Sequence, residues 1–344
     1  MQEVLQYDAS YGSQFWIVIL VAAAIYTYTN ISFAKNGSKH SIRHGGRIYS
    51  HYCGNRIGAF FDYFAAFFCY MSFVVMCGGA NSTAMQQFNL PNGVGAALLA
   101  FAVIATVLLG LNGIVKALGK IGPLIIICIL IIAALSTLSS TIGFSNGTSM
   151  IDSGSLPIVQ VGNGNPIASG ASYGGFVILW FASFMAEVGA KNDVGNVIKG
   201  SVLSSFCIFG VASLCCIALI SNIDITWSAD IPALALAERI NPVFSLVFAV
   251  VILIGIYTSA VPLLWTGVRK ISSDSTVKYR LVTIIGGIAG CAISCCVSYA
   301  PLLNILYGLN GYLGFLLIAF MLIRDCKSLF DTIRSNKQTT RMKD

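Results

Sequence analysis

The stretch SYGGFVILWFASFMAEVGAKNDVGN, residues 172–196, decides how the rest of the chain is interpreted. It is apolar enough to enter a lipid bilayer, yet it contains glycines and Ser183 and carries an acid, Glu187, near its end. An acid at the centre of a membrane helix opposes insertion by about 2.5–3.5 kcal/mol, so chains that keep one usually direct it at a partner, a cavity or a transported ion. Glu187 therefore predicts a site for a proton, a cation or an amino group. It is equally compatible with an ion pair to Lys191 at the cytoplasmic surface, because the two residues stand four positions apart.

The composition places the whole chain in the class of polytopic membrane proteins. Charged residues make up 10% of its 344 residues, against about 25% in soluble domains, and the mean hydropathy is +0.81. The net charge of +7 is spread over short loops without a basic patch interleaved with aromatic residues, which argues against a nucleic-acid-binding surface. We therefore expect an all-α membrane protein whose partners are the lipid bilayer and a small molecule.

Nine apolar segments are long enough, or nearly so, to span about 30 Å of hydrocarbon as helices. They cover residues 14–34, 59–80, 94–111, 123–144, 173–190, 202–220, 243–267, 281–299 and 301–323. The last two are separated by Ala300-Pro301, a short turn signal. Among the connecting stretches, ADIPALALAERIN, residues 229–241, predicts a short helix with Asp230 near its start and Pro232 in its first turn.

Lysine and arginine indicate how these segments are oriented. Nineteen of the 20 lie in five alternate stretches, residues 35–58, 113–121, 191–200, 268–280 and 324–344, and the other stretches hold only Arg239. By the positive-inside rule, the amino terminus lies outside and the carboxyl terminus lies in the cytoplasm. We therefore expect a multi-pass protein with an extracellular loop at residues 145–172 and a basic cytoplasmic tail at residues 324–344.

The eleven cysteines follow neither a disulfide pattern nor a metal-binding pattern. Nine lie in apolar segments, and Cys53 and Cys326 lie in basic stretches predicted to be cytoplasmic, so none is in an outside loop where disulfides form. His40, His44 and His51 share one basic loop and match no metal-ligand spacing. We interpret the cysteines as small packing residues and expect neither a cofactor nor a metal.

The spacing of the apolar segments contains an internal repeat. A shift of 184 residues carries the segment starts at 14, 59, 94 and 123 to 198, 243, 278 and 307, close to the starts at 202, 243, 281 and 301. It also carries MQEV, residues 1–4, onto MAEV, residues 185–188. Because the two copies have opposite orientations, this is an inverted-topology repeat, as in many secondary transporters. The alternative is that helices of similar length align by coincidence.

The repeat divides the chain into an incomplete first copy, residues 1–144, and a second copy, residues 173–323. The second copy begins with a full apolar segment at residues 173–190, whereas its counterpart in the first copy is only the short stretch of residues 1–12. We therefore expect a first helix that has been lost or that begins upstream of Met1.

The amino-terminal QEVLQY, residues 2–7, followed by a run of aromatic, small and polar residues, resembles the bacterial YkvI-like membrane proteins. These are relatives of the amino acid–polyamine–organocation transporters. The resemblance implies a bacterial cell membrane and the five-plus-five inverted repeat of the LeuT type, whose first and sixth helices are broken at mid-membrane and frame the ligand. It makes Gln2 and Glu3 the outer continuation of a discontinuous first helix, with Glu3 as a buried gate residue. On the bare sequence, Glu3 is an exposed terminal acid.

A broken helix exposes backbone N–H and C=O groups that can bind carboxylates and cations. Gly174, Gly175 and Ser183 make residues 173–190 a candidate for such a break. The alternative is a continuous helix whose small residues allow close packing. The candidate substrate-binding residues are Glu3, Ser183, Glu187, Tyr307 and Asn310.

Thr258 and Ser259 in GIYTSAVP, residues 255–262, are the candidate ion-binding residues. In transporters that resemble this fold, paired hydroxyls on the eighth helix ligate a sodium ion, a hard cation that prefers oxygen ligands. The alternative is that both hydroxyls hydrogen-bond back to their own helix, as serine and threonine often do.

These features favour a secondary transporter of an amino acid or a related zwitterion or cation, working by alternating access and driven by a sodium or proton gradient. The chain lacks the GxxxxGK[ST] loop that binds ATP phosphates, which favours a gradient as the energy source. A non-transporting binding or sensor protein with the same fold is the alternative. An enzyme is not expected, because no nucleophile–base pair is evident in the loops.

Overall fold

The computed structural model describes residues 1–42, 46–109, 114–273, 276–297 and 299–341, and every regular element in these ranges is helical. In chain order the elements are α1 (Gln2–Tyr7), a 3₁₀ helix (Ala9–Gln14), α2 (Phe15–Lys39), α3 (Arg47–Phe88), α4 (Val94–Leu109), α5 (Ile114–Leu138), α6 (Gly143–Asp152), α7 (Pro166–Lys191), α8 (Val194–Ser221), α9 (Ile223–Thr226), α10 (Pro232–Ile240), α11 (Pro242–Ile271), α12 (Val277–Cys296) and α13 (Tyr299–Arg341).

Six of the helices in these ranges are long and apolar enough to cross a membrane. Two bent pairs raise the number to eight. In one, α5 and α6 meet at 91°; in the other, the two parts of α7 meet at 58° between Leu179 and Phe181. Helix α4 is also apolar but has only 16 residues. The chain is therefore an all-helical, multi-pass membrane protein.

Each of the nine apolar segments coincides with a helix over most of its length, but several helices run beyond the predicted bounds. The basic stretch at residues 35–58 is mostly helical, because α2 continues to Lys39 and α3 begins at Arg47. Lysine and arginine are good helix formers, so a change from apolar to basic residues does not end a helix. Of the basic stretches, residues 43–45 with His44, residue 113, residues 274–275 and residues 342–344 lie outside the described residues.

The stretches predicted to lie outside the membrane contain short helices. Helix α10 begins with Pro232 in its first turn, which confirms the prediction for residues 229–241. The loop predicted at residues 145–172 contains most of α6. This helix packs closely at Gly147, where a Cβ atom would lie 2.0 Å from the carbonyl oxygen of Ile220. Pro301 lies in the first turn of α13, a position that tolerates proline because no helical hydrogen bond is lost there.

The chain forms two compact units. The first unit contains Met1–Val21, Phe64–Gly170 and Phe206–Leu309, and the second contains Ala22–Tyr63, Ala171–Ser205 and Asn310–Asp344.

The core of the first unit is formed by α3, α4, α11 and α12. Phe73, Val103, Leu264 and Tyr279, one from each helix, are buried in a single hydrophobic cluster. At Gly95 the backbone of α4 approaches α3 so closely that a Cβ atom would lie 2.6 Å from a carbonyl oxygen. Two helices of this core, α3 and α11, also line the cavity described below.

In the second unit, α2 and α7 cross at two pairs of small residues. A Cβ atom on Gly37 would lie 2.1 Å from the carbonyl oxygen of Ala186, and one on Gly189 would lie 2.1 Å from that of Ala34. Small residues allow membrane helices to pack with their backbones close together. The crossing therefore depends on glycine at both positions.

Candidate functional site

Most of the amino-terminal residues 1–12 are buried within the first unit, although the sequence presents them as a polar stretch. Leu5 and Tyr7 of α1 have 1% and 0% of their surface exposed. The Ser169 hydroxyl donates a hydrogen bond to the Tyr7 carbonyl at 2.8 Å, and the Tyr11 hydroxyl donates one to the Val161 carbonyl at 2.5 Å. These bonds tie the segment to the start of α7 and to the stretch before it.

A cavity of about 390 Å³ lies beside α1 within the first unit. Most of its wall is apolar and comes from α3, α5, α10 and α11. Its polar lining comes from Gln2, Glu3, Asp230, Ser259 and Tyr299. Small-molecule sites typically have volumes of about 300–1,000 Å³ and a mostly apolar wall with a few polar groups. Both properties are met here.

Two carboxylates determine the charge of this cavity. The side chain of Glu3 is 34% exposed, and its carboxylate lies 3.4 Å from the amino group of Met1. Asp230 accepts a hydrogen bond from the Ser82 hydroxyl at 3.4 Å. Among the described residues that line the cavity there is no lysine or arginine. The Met1 amino group also lines the cavity and is paired with Glu3. The two carboxylates therefore outnumber this one cation in the described lining, and an excess of one sign of charge concentrates ions of the opposite sign, which favours a cationic group.

Glu3 is held in its charged form. Burial alone raises the pKa of Glu3, but the charge of the Met1 amino group and hydrogen bonds from the α1 backbone and from Tyr307 outweigh it. As a result, the pKa of Glu3 lies below its ordinary value. Tyr307 is 1% exposed, and its ring packs against Tyr7 with 5.3 Å between centroids. Packing against Tyr7 therefore fixes the position of Tyr307, which stabilises the charged form of Glu3.

Four of the seven predicted site residues lie in the first unit. Glu3 and Ser259 line the cavity, and Tyr307 interacts with Glu3 from the protein side. Thr258 is not part of the lining, and its hydroxyl donates to the Gly255 carbonyl of its own helix at 2.8 Å. Of the two predicted ion-binding hydroxyls, Ser259 is therefore the one that reaches the cavity.

The other three predicted residues, Ser183, Glu187 and Asn310, belong to the second unit. Asn310 is fully buried and Ser183 is partly buried. Glu187 forms an ion pair with Lys191 at 3.1 Å, and the two side chains are 38% and 60% exposed. This pair is the arrangement expected from the surface alternative for Glu187.

The glycines proposed as the break in α7 both lie at close packing positions. A Cβ atom on Gly174 would lie 2.7 Å from the side chain of Ile25, and one on Gly175 would lie 3.1 Å from the Cα atom of Gly314. The 58° bend follows these glycines and precedes Ser183. The glycines therefore serve close packing, and the change of direction occurs further along the helix.

Two acids of the first unit, Asp8 and Asp230, are not predicted as site residues by the sequence. The sequence marks Asp230 only as the start of a short helix, and it does not single out Asp8. Asp8 lies between α1 and the 3₁₀ helix with 0% of its surface exposed. In the described part of the chain, neither of its carboxylate oxygens has a hydrogen-bond partner. Because Asp8 is buried, its pKa is raised well above the ordinary value.

Within the described ranges, no group of three or more His, Cys, Asp or Glu residues is placed to hold a metal ion. Comparison of the chain with protein-family models and with curated proteins found no match.

Proposed function

We propose that the protein is a secondary transporter of an amino acid or a related small zwitterion or cation, working by alternating access. The observation that carries this proposal is the cavity of about 390 Å³, lined by Glu3 and Asp230, inside a multi-pass membrane protein. Its charged acids would bind an amino group, and its apolar wall would bind a small side chain. The hydroxyls of Ser259 and Tyr299 add hydrogen-bonding groups on the α11 and α13 sides.

The helix bounds support a five-plus-five inverted repeat with nine membrane segments. The shift of 184 residues carries the ends of α2, α3 and α4 to residues 223, 272 and 293, and α8, α11 and α12 end at Ser221, Ile271 and Cys296. It carries the start of α5 to residue 298, next to the start of α13 at Tyr299. Four helix boundaries thus agree within three residues.

The same shift gives the amino-terminal segment a counterpart. It carries α1 onto residues 186–191, the last turns of α7, and it carries Glu3 onto Glu187. In LeuT-type transporters the first helices of the two repeats frame the ligand, which supports a substrate site beside α1. The described lining of the cavity contains no residue of α7, so only one of the two framing helices contributes to it. The basic connecting stretches support a cytoplasmic carboxyl terminus and an outside amino terminus.

The test is uptake of labelled amino acids by the purified full chain in liposomes, under imposed proton or sodium gradients. We expect saturable uptake of solutes that carry an amino group. Glu3→Gln and Asp230→Asn should each lower apparent affinity by about tenfold or more, because each replaces a carboxylate by a neutral amide and so weakens a charge-assisted hydrogen bond to the amino group of the solute. Glu238→Gln on α10 is the matched control, since this side chain is exposed and outside the cavity lining.

The outcomes separate transport from the alternative function. Binding of an amine without uptake under any gradient would favour a sensor or binding protein with this fold. Absence of both binding and uptake for every amine-bearing solute tested would remove the proposal.

A further inference from the structure

Asp8 is an unusual ionisable group among the described residues of the first unit. It has no exposed surface, and in the described residues no donor reaches either of its carboxylate oxygens. Structural acids in protein interiors are paired or hydrogen-bonded, because an unpaired buried charge is strongly unfavourable. An acid that meets neither condition is stable in this position only when it carries a proton.

The groups around Asp8 do not supply a compensating positive charge. Cys216 of α8 lies within electrostatic reach of its carboxyl group. Other titratable groups that face the segment are Cys215 of α8, Tyr299 and Tyr307 of α13, and Asp152 of α6. Asp152 accepts a hydrogen bond from the Ser13 N–H at 3.3 Å. Glu3, Tyr7, Tyr11 and the Met1 amino group lie on the segment itself. Apart from the Met1 amino group, each of these groups is neutral or negative. The Met1 amino group is paired with Glu3, and burial is the one cause that shifts the pKa of Asp8, so none of these groups favours an ionised Asp8.

Asp8 lies on the same chain segment as a residue that lines the cavity. Glu3 lines the cavity and stands five residues before Asp8 on the same short segment, residues 1–14. Asp8 lies between the end of α1 and the start of the 3₁₀ helix, and the backbone of the segment departs from helical geometry at Gly12. A displacement of this segment would therefore move the Glu3 carboxylate and expose Asp8 in one step.

We propose that Asp8 binds and releases the coupling proton, so that transport is driven by a proton gradient and not by a sodium gradient. In the buried position Asp8 holds the proton as a neutral carboxylic acid. When the segment opens to water, the O–H bond breaks, the electron pair stays on the carboxylate and the proton passes to water. Ionised Asp8 then opposes burial until a proton returns. The coupling role rests on the proposed transport function, whereas the protonation of Asp8 does not.

The first experiment measures protonation directly on the purified full chain. Infrared spectra at neutral pH should contain the carbonyl band of a protonated carboxyl group in the wild type, and the band should be lost in Asp8→Asn. Asp152→Asn is the matched control, because this acid is exposed and its replacement keeps an acceptor for the Ser13 N–H. A spectrum without this band, or a band that persists in Asp8→Asn, would overturn the assignment of a proton to Asp8.

The second experiment measures coupling in liposomes. An inward proton gradient should drive accumulation of the solute in the wild type and in Asp152→Asn. In Asp8→Asn, gradient-driven accumulation should fall by about tenfold or more, a size typical of the coupling between two binding events. Exchange of labelled for unlabelled solute, which needs no driving ion, should continue in Asp8→Asn and thereby demonstrate a folded protein.

The two proposals fail in different ways. Accumulation driven by sodium alone, or full proton-driven accumulation by Asp8→Asn, would overturn the coupling role and leave the transporter intact. Absence of uptake and exchange in the wild type would overturn transport and with it the coupling role, while the infrared band would still decide whether Asp8 holds a proton.

Discussion

Two acids in this protein, Asp325 in the second unit and Asp8 in the first, have opposite environments. Asp325 accepts hydrogen bonds from the hydroxyls of Tyr28 at 2.9 Å and Ser32 at 2.5 Å. Because the Ser32 proton points to Asp325, the contact of 2.7 Å between Ser32 and Tyr52 has Tyr52 as its donor. Tyr52 in turn accepts from the Asn36 amide at 2.7 Å. These five residues, which we call the Asp325 cluster, form a chain of donors that ends on the carboxylate.

Asp8 is more deeply buried than Asp325, yet it receives no hydrogen bond from the described residues. The Asp325 cluster is explained by packing alone, since it joins α2, α3 and α13 through satisfied polar groups. The environment of Asp8 has no such structural explanation. The difference shows that a buried acid without hydrogen-bond partners indicates a functional role. A buried acid whose partners satisfy it, such as Asp325, is weaker evidence for function.

The largest expected effect is on the pH dependence of stability. The pKa of Asp8 in the folded protein is raised above its ordinary value of 3.8, so folding binds a proton at intermediate pH. The stabilisation is fully present below the ordinary pKa and is lost as pH rises through the raised pKa of the folded state. Thermal unfolding in detergent should therefore occur at lower temperature as pH increases.

Asp8→Asn should flatten this profile and unfold at higher temperature than the wild type at alkaline pH. Asp152→Asn should keep the wild-type profile. A slope that is the same in all three proteins would mean that Asp8 is not the group that links stability to pH.

A smaller effect is expected from Asp325→Ala, which should lower the free energy of unfolding by about 2 kcal/mol, because the charged acceptor of two hydrogen bonds is lost. Asp325→Asn should lose less, since an amide oxygen can still accept from Tyr28 and Ser32. Both variants should show the wild-type pH dependence. Denaturation with increasing mole fraction of dodecyl sulfate would measure the change, and an unchanged midpoint for Asp325→Ala would contradict the structural role of the cluster.

The smallest effect is expected from Glu187→Gln. Its ion pair with Lys191 is largely exposed, and such pairs contribute about 0–1 kcal/mol. Uptake and unfolding should both stay close to wild type. A large loss of uptake in this variant, with unchanged stability, would instead make Glu187 part of the transport mechanism and weaken the contrast between paired and unpaired acids.

The sequence predicts the helical segments and the short helix at Pro232 well, because apolar length and proline position are local properties. It predicts Glu3 and Ser259 as site residues, and both line the cavity. It does not predict the roles of Asp8 and Asp230. Acids in polar stretches normally face water, and only the packing of α1 against distant parts of the chain buries Asp8.

The bend in α7 illustrates the same limit. Glycine in an apolar helix permits either a break or a close contact, and the choice depends on the neighbouring helix. Gly175 meets Gly314 of α13, which stands 139 residues further along the chain. No local pattern contains that information.

The most direct measurement of the central claim is equilibrium binding of labelled amino acids and amines to the purified protein in detergent. We expect saturable binding of solutes with an amino group, weakened by about tenfold or more in Glu3→Gln and in Asp230→Asn and unchanged in Glu238→Gln. Binding that is equally tight in all four proteins, or that is confined to solutes without an amino group, would contradict the assignment of this cavity as the substrate site.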